Sequence, residues 1–171
     1  MLVRLMYASR AVPAMDQEEL VAILRSSKAN NPGQGITGVL CSCFTQGIFL
    51  QVLEGGRSAV NRLYGRIMAD PRHTNVELLC YEEIGERRFA GWSMGQVNMS
   101  RLNPALLLKY SEKPTLDPFA VSGQVSMALF HELMATASVV GQSLNLGLKS
   151  TLNDRSENGR TWHRPGFNIG R

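Results

Sequence analysis

The sequence predicts an α+β fold in which a mostly antiparallel sheet carries two helices on one face. Over residues 1–100, short apolar runs alternate with helical segments in the order β-α-β-β-α-β-β. Both helical segments show apolar residues at helical spacing, and turn-forming Gly, Pro and Asn residues separate the elements. This alternation is typical of the ferredoxin-like fold. Because that fold hosts many unrelated functions, it does not by itself define one.

The first strand and the first helix are predicted within the opening segment. Residues 1–9 form a short apolar run, and Pro13 ends it because proline lacks the amide donor that a strand needs. Asp16 and Glu19 have the spacing of a helix capping box. The apolar residues that follow repeat at helical spacing, which predicts a helix over residues 16–28.

The remaining elements of the sheet domain are a hairpin, a second helix and two strands. Residues 36–44 and 48–53 are apolar and flank a Thr-Gln-Gly turn, which predicts the hairpin. The second helix is predicted from an apolar stripe that ends near residue 70. The stripe consists of Val60, Leu63, Tyr64, Ile67 and Met68. Strands are then expected at residues 76–84 and 92–99.

The character of the sequence changes after residue 100. Asn103 followed by Pro104 predicts a short helix through residue 109, and an apolar stripe predicts another over residues 121–137. We therefore expect a sheet domain at residues 1–100, a helical output or capping segment at 101–140, and a basic tail at 141–171. The tail is rich in Gly, Asn, Ser and Arg, which is typical of disorder.

Charge and composition exclude several classes of protein. The net charge is +4, but residues 1–140 carry 13 basic and 12 acidic residues, so most of the excess lies in the tail. A basic domain face for nucleic acid is therefore not expected in the folded part. No apolar run has the length of a membrane span, and the N-terminus does not resemble a signal peptide. We expect a cytoplasmic protein.

Most templates for catalysis and metal binding are missing from the sequence. It contains no GxGxxG, P-loop, HExxH or GxSxG motif. Cys41, Cys43 and Cys80 are too few for a disulfide framework or a zinc site, so no metal is expected. An unusual polar residue is Gln51, which lies inside an apolar run and requires either a partner such as Tyr7 or a bound ligand.

Several stretches in order along residues 2–99 resemble the BLUF domain, a small photoreceptor module that senses blue light using FAD. They read RLMYAS from residue 4, NN at 30–31, GITG from 35, FLQVLEG from 49, DPRH from 70 and RRFAGWSM from 87. Each stretch is short, but their joint order and spacing are highly specific. The C-terminal part resembles the short, stand-alone members that carry no fused effector domain.

The resemblance implies that FAD binds with its ring between the two helices of the sheet domain. Ile23 and Ile67 would lie on either side of the ring, and both belong to the apolar stripes. Asn31 and Asn30 would hydrogen-bond the polar edge of the ring, because an amide offers both a donor and an acceptor. The resemblance also implies a polar group near the ribityl and phosphate end. Its members are Arg66, Asp70, Arg72 and His73, with Lys28 as a further candidate.

The resemblance further implies a light-driven switch formed by Tyr7 and Gln51. Tyr7 would donate an electron and a proton, and the Gln51 amide would rearrange without consuming a substrate, so the protein is expected not to be an enzyme. Trp92 and Met94 would report the change from the predicted fifth strand, where residues two apart face the same way. Which of the two faces Gln51 is left open.

We expect the signal to reach a separate, unidentified signalling protein. The apolar stripe of residues 121–134 needs a covering surface, which is either the back of the sheet or a sister subunit. The resemblance to stand-alone members favours a homo-oligomer of open size. Two alternatives are an acylphosphatase-like small hydrolase, whose glycine-rich phosphate loop is missing, and a nucleic-acid-binding regulator that uses the basic tail.

Overall fold

A computed structural model of the chain describes residues 1–12, 16–99, 102–115 and 117–135. Within these residues, five strands form a single sheet and four helices accompany it. The strands are β1 (Leu2–Ala11), β2 (Thr37–Cys43), β3 (Ile48–Gly56), β4 (His73–Ile84) and β5 (Gly95–Asn98). The helices are α1 (Gln17–Asn30), α2 (Arg57–Met68), α3 (Pro104–Leu108) and α4 (Gly123–Ala135).

The sheet has the strand order β4-β1-β3-β2-β5. All neighbouring strands are antiparallel except β2 and β5, which run parallel. The two central strands, β1 and β3, place Tyr7 directly opposite Gln51. The predicted ferredoxin-like α+β architecture is therefore confirmed.

The sheet separates two apolar cores. On one face, Leu20 and Leu24 of α1 and Val60 of α2 pack against β1, β2 and β3. On the other face, Leu129 and Phe130 of α4 are fully buried in a second core. The back of the sheet thus covers the apolar stripe of α4, which answers the question that the sequence left open.

A local sequence signal explains where α1 begins, and a tertiary contact requires glycine at the first residue of α4. Asp16 Oδ1 accepts a hydrogen bond from Glu19 N at 2.8 Å, and Glu19 Oε2 accepts one from Asp16 N at 3.2 Å, so the predicted capping box starts α1. Helix α4 starts at Gly123, where a Cβ atom would lie only 2.3 Å from the backbone oxygen of Leu79. Only glycine allows α4 to approach β4 this closely.

Several predicted boundaries differ from the observed ones. The fifth strand was expected at residues 92–99 but begins at Gly95, so Trp92 and Met94 precede it instead of sharing a strand. Strand β4 begins at His73 because its ladder with β1 extends as far as Ala11. Residues 136–137 of the predicted last helix and the tail at 141–171 lie outside the described residues. No helix in the described part of the chain is long and apolar enough to cross a membrane.

Candidate functional site

A cavity of about 480 Å³ lies between α1, α2 and the sheet. Its volume falls within the range of roughly 300–1,000 Å³ that is common for small-molecule sites. Its walls combine polar side chains with apolar ones, the latter including Ile23 on α1, Ile67 on α2 and Phe49 on β3. A flat ring system fits such walls because apolar side chains on two helices can contact both of its faces.

The sheet side of the cavity contains a buried polar chain of three side chains. The Tyr7 hydroxyl donates a hydrogen bond to Gln51 Oε1, and Gln51 Nε2 donates to the Met94 sulfur at 3.1 Å. Tyr7 is 1% exposed, Gln51 6% and Met94 2%. Tyr7 therefore supplies the partner that the buried glutamine requires, and Met94 supplies a second one.

The surroundings of Tyr7 keep its phenol protonated. Burial raises the pKa of Tyr7 well above its ordinary value, and the nearby Tyr64 and Asp70 raise it further. The ring of Tyr64 lies 5.5 Å from that of Tyr7. The phenol is thus a neutral hydrogen-bond donor throughout the physiological pH range.

Two asparagines at the end of α1 line the same cavity. Asn31 is 2% exposed, and its Nδ2 donates to the carbonyl oxygen of Ser93 at 2.8 Å. Asn30 is exposed, and its Nδ2 donates to the carbonyl oxygen of Ser26 at 2.9 Å. Asn31 consequently ties α1 to the backbone next to Met94.

A charged group follows α2 at the cavity wall. Arg72 binds Asp70 through Nε at 2.9 Å and Nη2 at 2.5 Å, and the Arg72 side chain holds the pKa of Asp70 down at about 2. His73 Nδ1 lies 2.8 Å from the hydroxyl of Ser9, and its ring centroid lies 5.4 Å from that of Phe49. Burial lowers the pKa of His73, which favours the neutral ring.

The structure brings together nearly all of the residues expected from the sequence. Those that line the cavity are Tyr7, Ile23, Asn30, Asn31, Gln51, Arg66, Ile67, Asp70, Arg72, His73 and Met94. Lys28 and Trp92 do not line it. Trp92 is half-buried beside the site, and its carbonyl accepts a hydrogen bond from the amide of Gly38 at 2.9 Å.

Some lining residues were missed by the sequence reasoning. Ser26 and Ser27 lie three and four residues after Ile23, so helical spacing alone would have placed them on the same face of α1. Gln34 also lines the cavity, and its side-chain oxygen accepts a hydrogen bond from Arg66 Nη2 at 3.0 Å. This contact joins the turn after α1 to α2.

Taken together, the fold and the site define a small-molecule-binding domain. Its apolar slot ends on a buried tyrosine–glutamine pair. Residues 2–95 match the BLUF family, described as "Sensors of blue-light using FAD". The chain belongs to this family, and the matched residues form a flavin-binding blue-light sensor domain.

Individual relatives agree with this assignment. The photoactivated adenylate cyclase subunit beta of Euglena gracilis is 39% identical over 94 residues, which cover 54% of this chain but 11% of that protein. The blue light- and temperature-regulated antirepressor BluF of Escherichia coli (strain K12) is 39% identical over 93 residues, 52% of this chain and 22% of the relative. The chain thus spans only a small part of these curated relatives.

Solved structures give a more complete match. BlsA in its photo-activated state superposes with a TM-score of 0.71 and 33% identity, covering 78% of this chain and 95% of that chain. BlrB, a BLUF protein in its dark state, gives a TM-score of 0.67 and 35% identity, covering 80% and 96%. Much of the described chain therefore has a counterpart in these proteins.

Proposed function

We propose that the cavity binds FAD as a chromophore and that the Tyr7–Gln51 pair converts blue light into a changed hydrogen-bond network. The observation that carries this proposal is the buried Tyr7–Gln51 hydrogen bond at the wall of a cavity of about 480 Å³. In a BLUF domain such a pair is the place where a chromophore and the protein can exchange an electron and a proton.

The lining residues fit FAD in three ways. Ile23 and Ile67 supply apolar contacts for the two faces of the ring, and Asn31 with Asn30 supplies amide groups for its polar edge. Arg66 and Arg72 supply cationic donors for the ribityl and phosphate end, beside Asp70 and His73. Lys28, which does not line the cavity, has no support as a ligand from these contacts.

The proposed switch uses the hydrogen bonds already present. A bound flavin supplies the absorption of blue light and an excited state that accepts one electron. Tyr7 would be the donor of that electron, and its phenolic proton would move along the existing hydrogen bond to Gln51 Oε1. Tyr7 would then regain a proton from the amide, which would be left rotated or tautomerised.

Either form of the rearranged amide changes the contact with Met94. Rotation exchanges Nε2 and Oε1, so that an oxygen faces the Met94 sulfur, which has no proton to donate. Tautomerisation removes one of the two protons on Nε2. The contact with Gln51 favours Met94 as the side chain that senses the state of the amide over Trp92, which does not line the cavity.

The output is proposed to pass from Met94 toward the C-terminal helices and then to a separate signalling protein in the cytoplasm, without catalysis by this chain. The named relatives include a light-regulated antirepressor and photoactivated cyclases, so coupling of this domain to other proteins or effector domains occurs in the family. A homo-oligomer is proposed as the assembly that presents the helices to the partner.

The absorption spectrum of the purified full chain tests this function. The protein is expected to be yellow, and blue light is expected to produce a small red shift of the flavin bands that reverses in the dark. Extraction of the chromophore, followed by chromatography against FAD and shorter flavins, identifies which flavin it is. A colourless protein that takes up no added FAD would contradict the proposal.

The two alternative functions have less support. The comparisons favour neither an acylphosphatase-like hydrolase nor a nucleic-acid-binding regulator, and the basic tail lies outside the described residues. Turnover of an acyl phosphate would support the hydrolase. Salt-dependent nucleic-acid binding that disappears on deletion of residues 141–171 would support the regulator.

A further inference from the structure

Strand β4 forms one edge of the sheet. Within the described residues, this 12-residue strand is the end strand and has β1 as its only ladder partner. Strands β2 and β3 are almost completely buried, whereas β4 is exposed over much of its length. The outer side of β4 therefore offers backbone donors and acceptors to a further strand.

One face of β4 carries exposed apolar side chains. The register with β1 shifts between Met6 and Tyr7, and this shift places Leu78 and Tyr81 on the same face, opposite Tyr7 and Leu5. Leu78 is 51% exposed and Tyr81 is 39% exposed, although α1 and α2 pack on this side of the sheet. The helices thus leave the apolar side chains of the edge strand incompletely covered.

The other face of β4 is acidic. Glu77 and Glu82 lie opposite Ala8 and Arg4, on the side of the sheet that carries α4. Both glutamates are exposed, and Glu82 also pairs with Arg4. A strand that pairs with β4 should therefore present apolar side chains on one face and a basic side chain on the other.

The tail contains a stretch with this pattern. Residues 143–152, which lie outside the described part of the chain, read SLNLGLKSTL. Leucine recurs at positions 144, 146, 148 and 152, always an even number of residues apart, and such alternation is typical of a strand with one apolar face. Lys149 stands at an odd position, so an extended chain places it on the face opposite the leucines.

Helix α4 brings the tail within reach of this edge. Its first residue lies against Leu79 of β4. Near its other end, burial and the charges of Arg88 and Arg4 lower the pKa of His131, so the helix runs toward the start of β1, which pairs with the end of β4. Residues 136–143 then precede the first leucine and span up to about 26 Å at roughly 3.3 Å per residue. A strand that begins there and follows the edge runs antiparallel to β4.

We propose that residues 144–152 pair with β4 of the same chain and add a sixth strand to the sheet. The leucines cover Leu78 and Tyr81, and Lys149 faces the acidic side of β4. A second copy of β4 fits the edge less well, because it brings glutamates next to glutamates, and like charges on neighbouring strands are destabilising. The tail thereby protects the edge from pairing with other chains.

Hydrogen–deuterium exchange of the full-length protein in the dark tests this pairing. Uptake is measured in the peptides that cover β4 and residues 143–152, and the peptides of β1 and β3 record whether the rest of the sheet is intact. Leu146→Asn places an amide on the apolar face of the proposed strand. Thr151→Asn is its matched control, because it introduces the same side chain on the opposite face.

Both the β4 peptide and the tail peptide are expected to be protected in the wild type. Leu146→Asn should raise the exchange rate of both by about tenfold, since the burial of a leucine is lost. Thr151→Asn should leave both rates close to those of the wild type. The β1 and β3 peptides are expected to stay unchanged in both variants.

Charge reversal tests the other face of the proposed strand. Lys149→Glu should raise the exchange rate of both peptides by up to about fivefold, because it replaces an attraction to Glu77 by a repulsion. Arg160→Glu makes the same change in charge outside the proposed strand and should have no effect. The double variant Glu77→Lys with Lys149→Glu restores opposite charges and should restore the protection.

Three results would overturn the inference. The first is exchange of residues 143–152 in the wild type at the rate of an unstructured chain. The second is a response to Leu146→Asn in the tail peptide without any response in β4. The third is protection that falls when the protein is diluted, which would place the segment on β4 of a second copy.

Discussion

Tyr7 and Gln51 face each other across the ladder between β1 and β3, and the phenol of Tyr7 donates a hydrogen bond to the amide oxygen of Gln51. Both side chains are buried in a face that is mainly apolar. A buried polar group without a partner costs about 1–3 kcal/mol, so neither residue suits this position alone. Their pairing on two central strands holds the donor and the amide in register, which a proton transfer needs.

Removing either member of this pair is expected to abolish the reversible absorption shift and to leave flavin binding in place. Tyr7→Phe removes the donor of the electron and proton, and Gln51→Leu removes the amide that rearranges. Neither change alters the apolar walls or the charged end of the cavity. Absorption spectra before and after blue light provide the measurement.

Tyr64→Phe is a suitable control for Tyr7→Phe. The ring of Tyr64 lies beside that of Tyr7, but Tyr64 does not line the cavity. The light-induced absorption shift of the Tyr64→Phe variant is therefore expected to remain. A normal photocycle in Tyr7→Phe would show that the assigned switch is wrong.

The role of Met94 can be separated from that of Trp92. Met94→Leu removes the sulfur that accepts from Gln51 Nε2 and leaves that buried donor unpaired in the dark state. A net loss of about 1 kcal/mol, typical of one hydrogen bond, is a factor of about five in an equilibrium constant. We expect the shift to persist and its dark recovery to slow by up to about fivefold, as measured from the decay of the red-shifted absorption.

Trp92→Phe is the matched control for Met94→Leu, because Trp92 is the other residue expected to report the state of Gln51. Because Trp92 does not line the cavity, recovery in this variant is expected to stay close to that of the wild type. The reverse result, with slow recovery only in Trp92→Phe, would assign the sensing role to the tryptophan.

Much of the fold could be predicted because its signals are local. The capping box of Asp16 and Glu19 and the apolar stripes of α1 and α2 depend on residues within a few turns of one another. The start of β4 at His73 could not be predicted in this way. Polar residues open that strand, and only the ladder with β1 makes them extended.

One buried ion pair outside the site depends on a long-range contact. Arg4 and Glu54 are 50 residues apart, and nothing local shows that a charged pair will be buried between β1 and β3. The apolar run around Gln51 singles out that residue, with Tyr7 as a possible partner, but their role as a switch came from the family resemblance.

The ion pair between Asp70 and Arg72 makes a specific contribution to acid stability. The Arg72 side chain lowers the pKa of Asp70 from 3.8 to about 2. Because the folded-state pKa lies below the ordinary value, the pair stabilises the fold above pH 4, and this stabilisation is lost as the pH falls toward 2. The side chains are 43% and 20% exposed for Arg72 and Asp70, so we expect at most about 1 kcal/mol.

Urea unfolding at a series of pH values measures this contribution. Asp70→Asn and Arg72→Gln are each expected to remove the same component of the free energy of unfolding between pH 4 and pH 2. If the two variants keep the acid dependence of the wild type, another carboxylate is responsible for it.

The close approach of α4 to β4 predicts that a glycine-to-alanine substitution has opposite effects on stability at Gly123 and at Gly65. In Gly123→Ala the new Cβ atom would lie 2.3 Å from the Leu79 backbone oxygen, so α4 must move away from the sheet. Overpacking of this kind costs about 1–3 kcal/mol. In Gly65→Ala, within α2, the new Cβ atom has no neighbour within 4 Å, and the helix gains roughly 0.5–1 kcal/mol.

Urea unfolding should therefore give a lower free energy of unfolding for Gly123→Ala and a higher one for Gly65→Ala. Equal effects of the two substitutions would mean that α4 is not seated on β4.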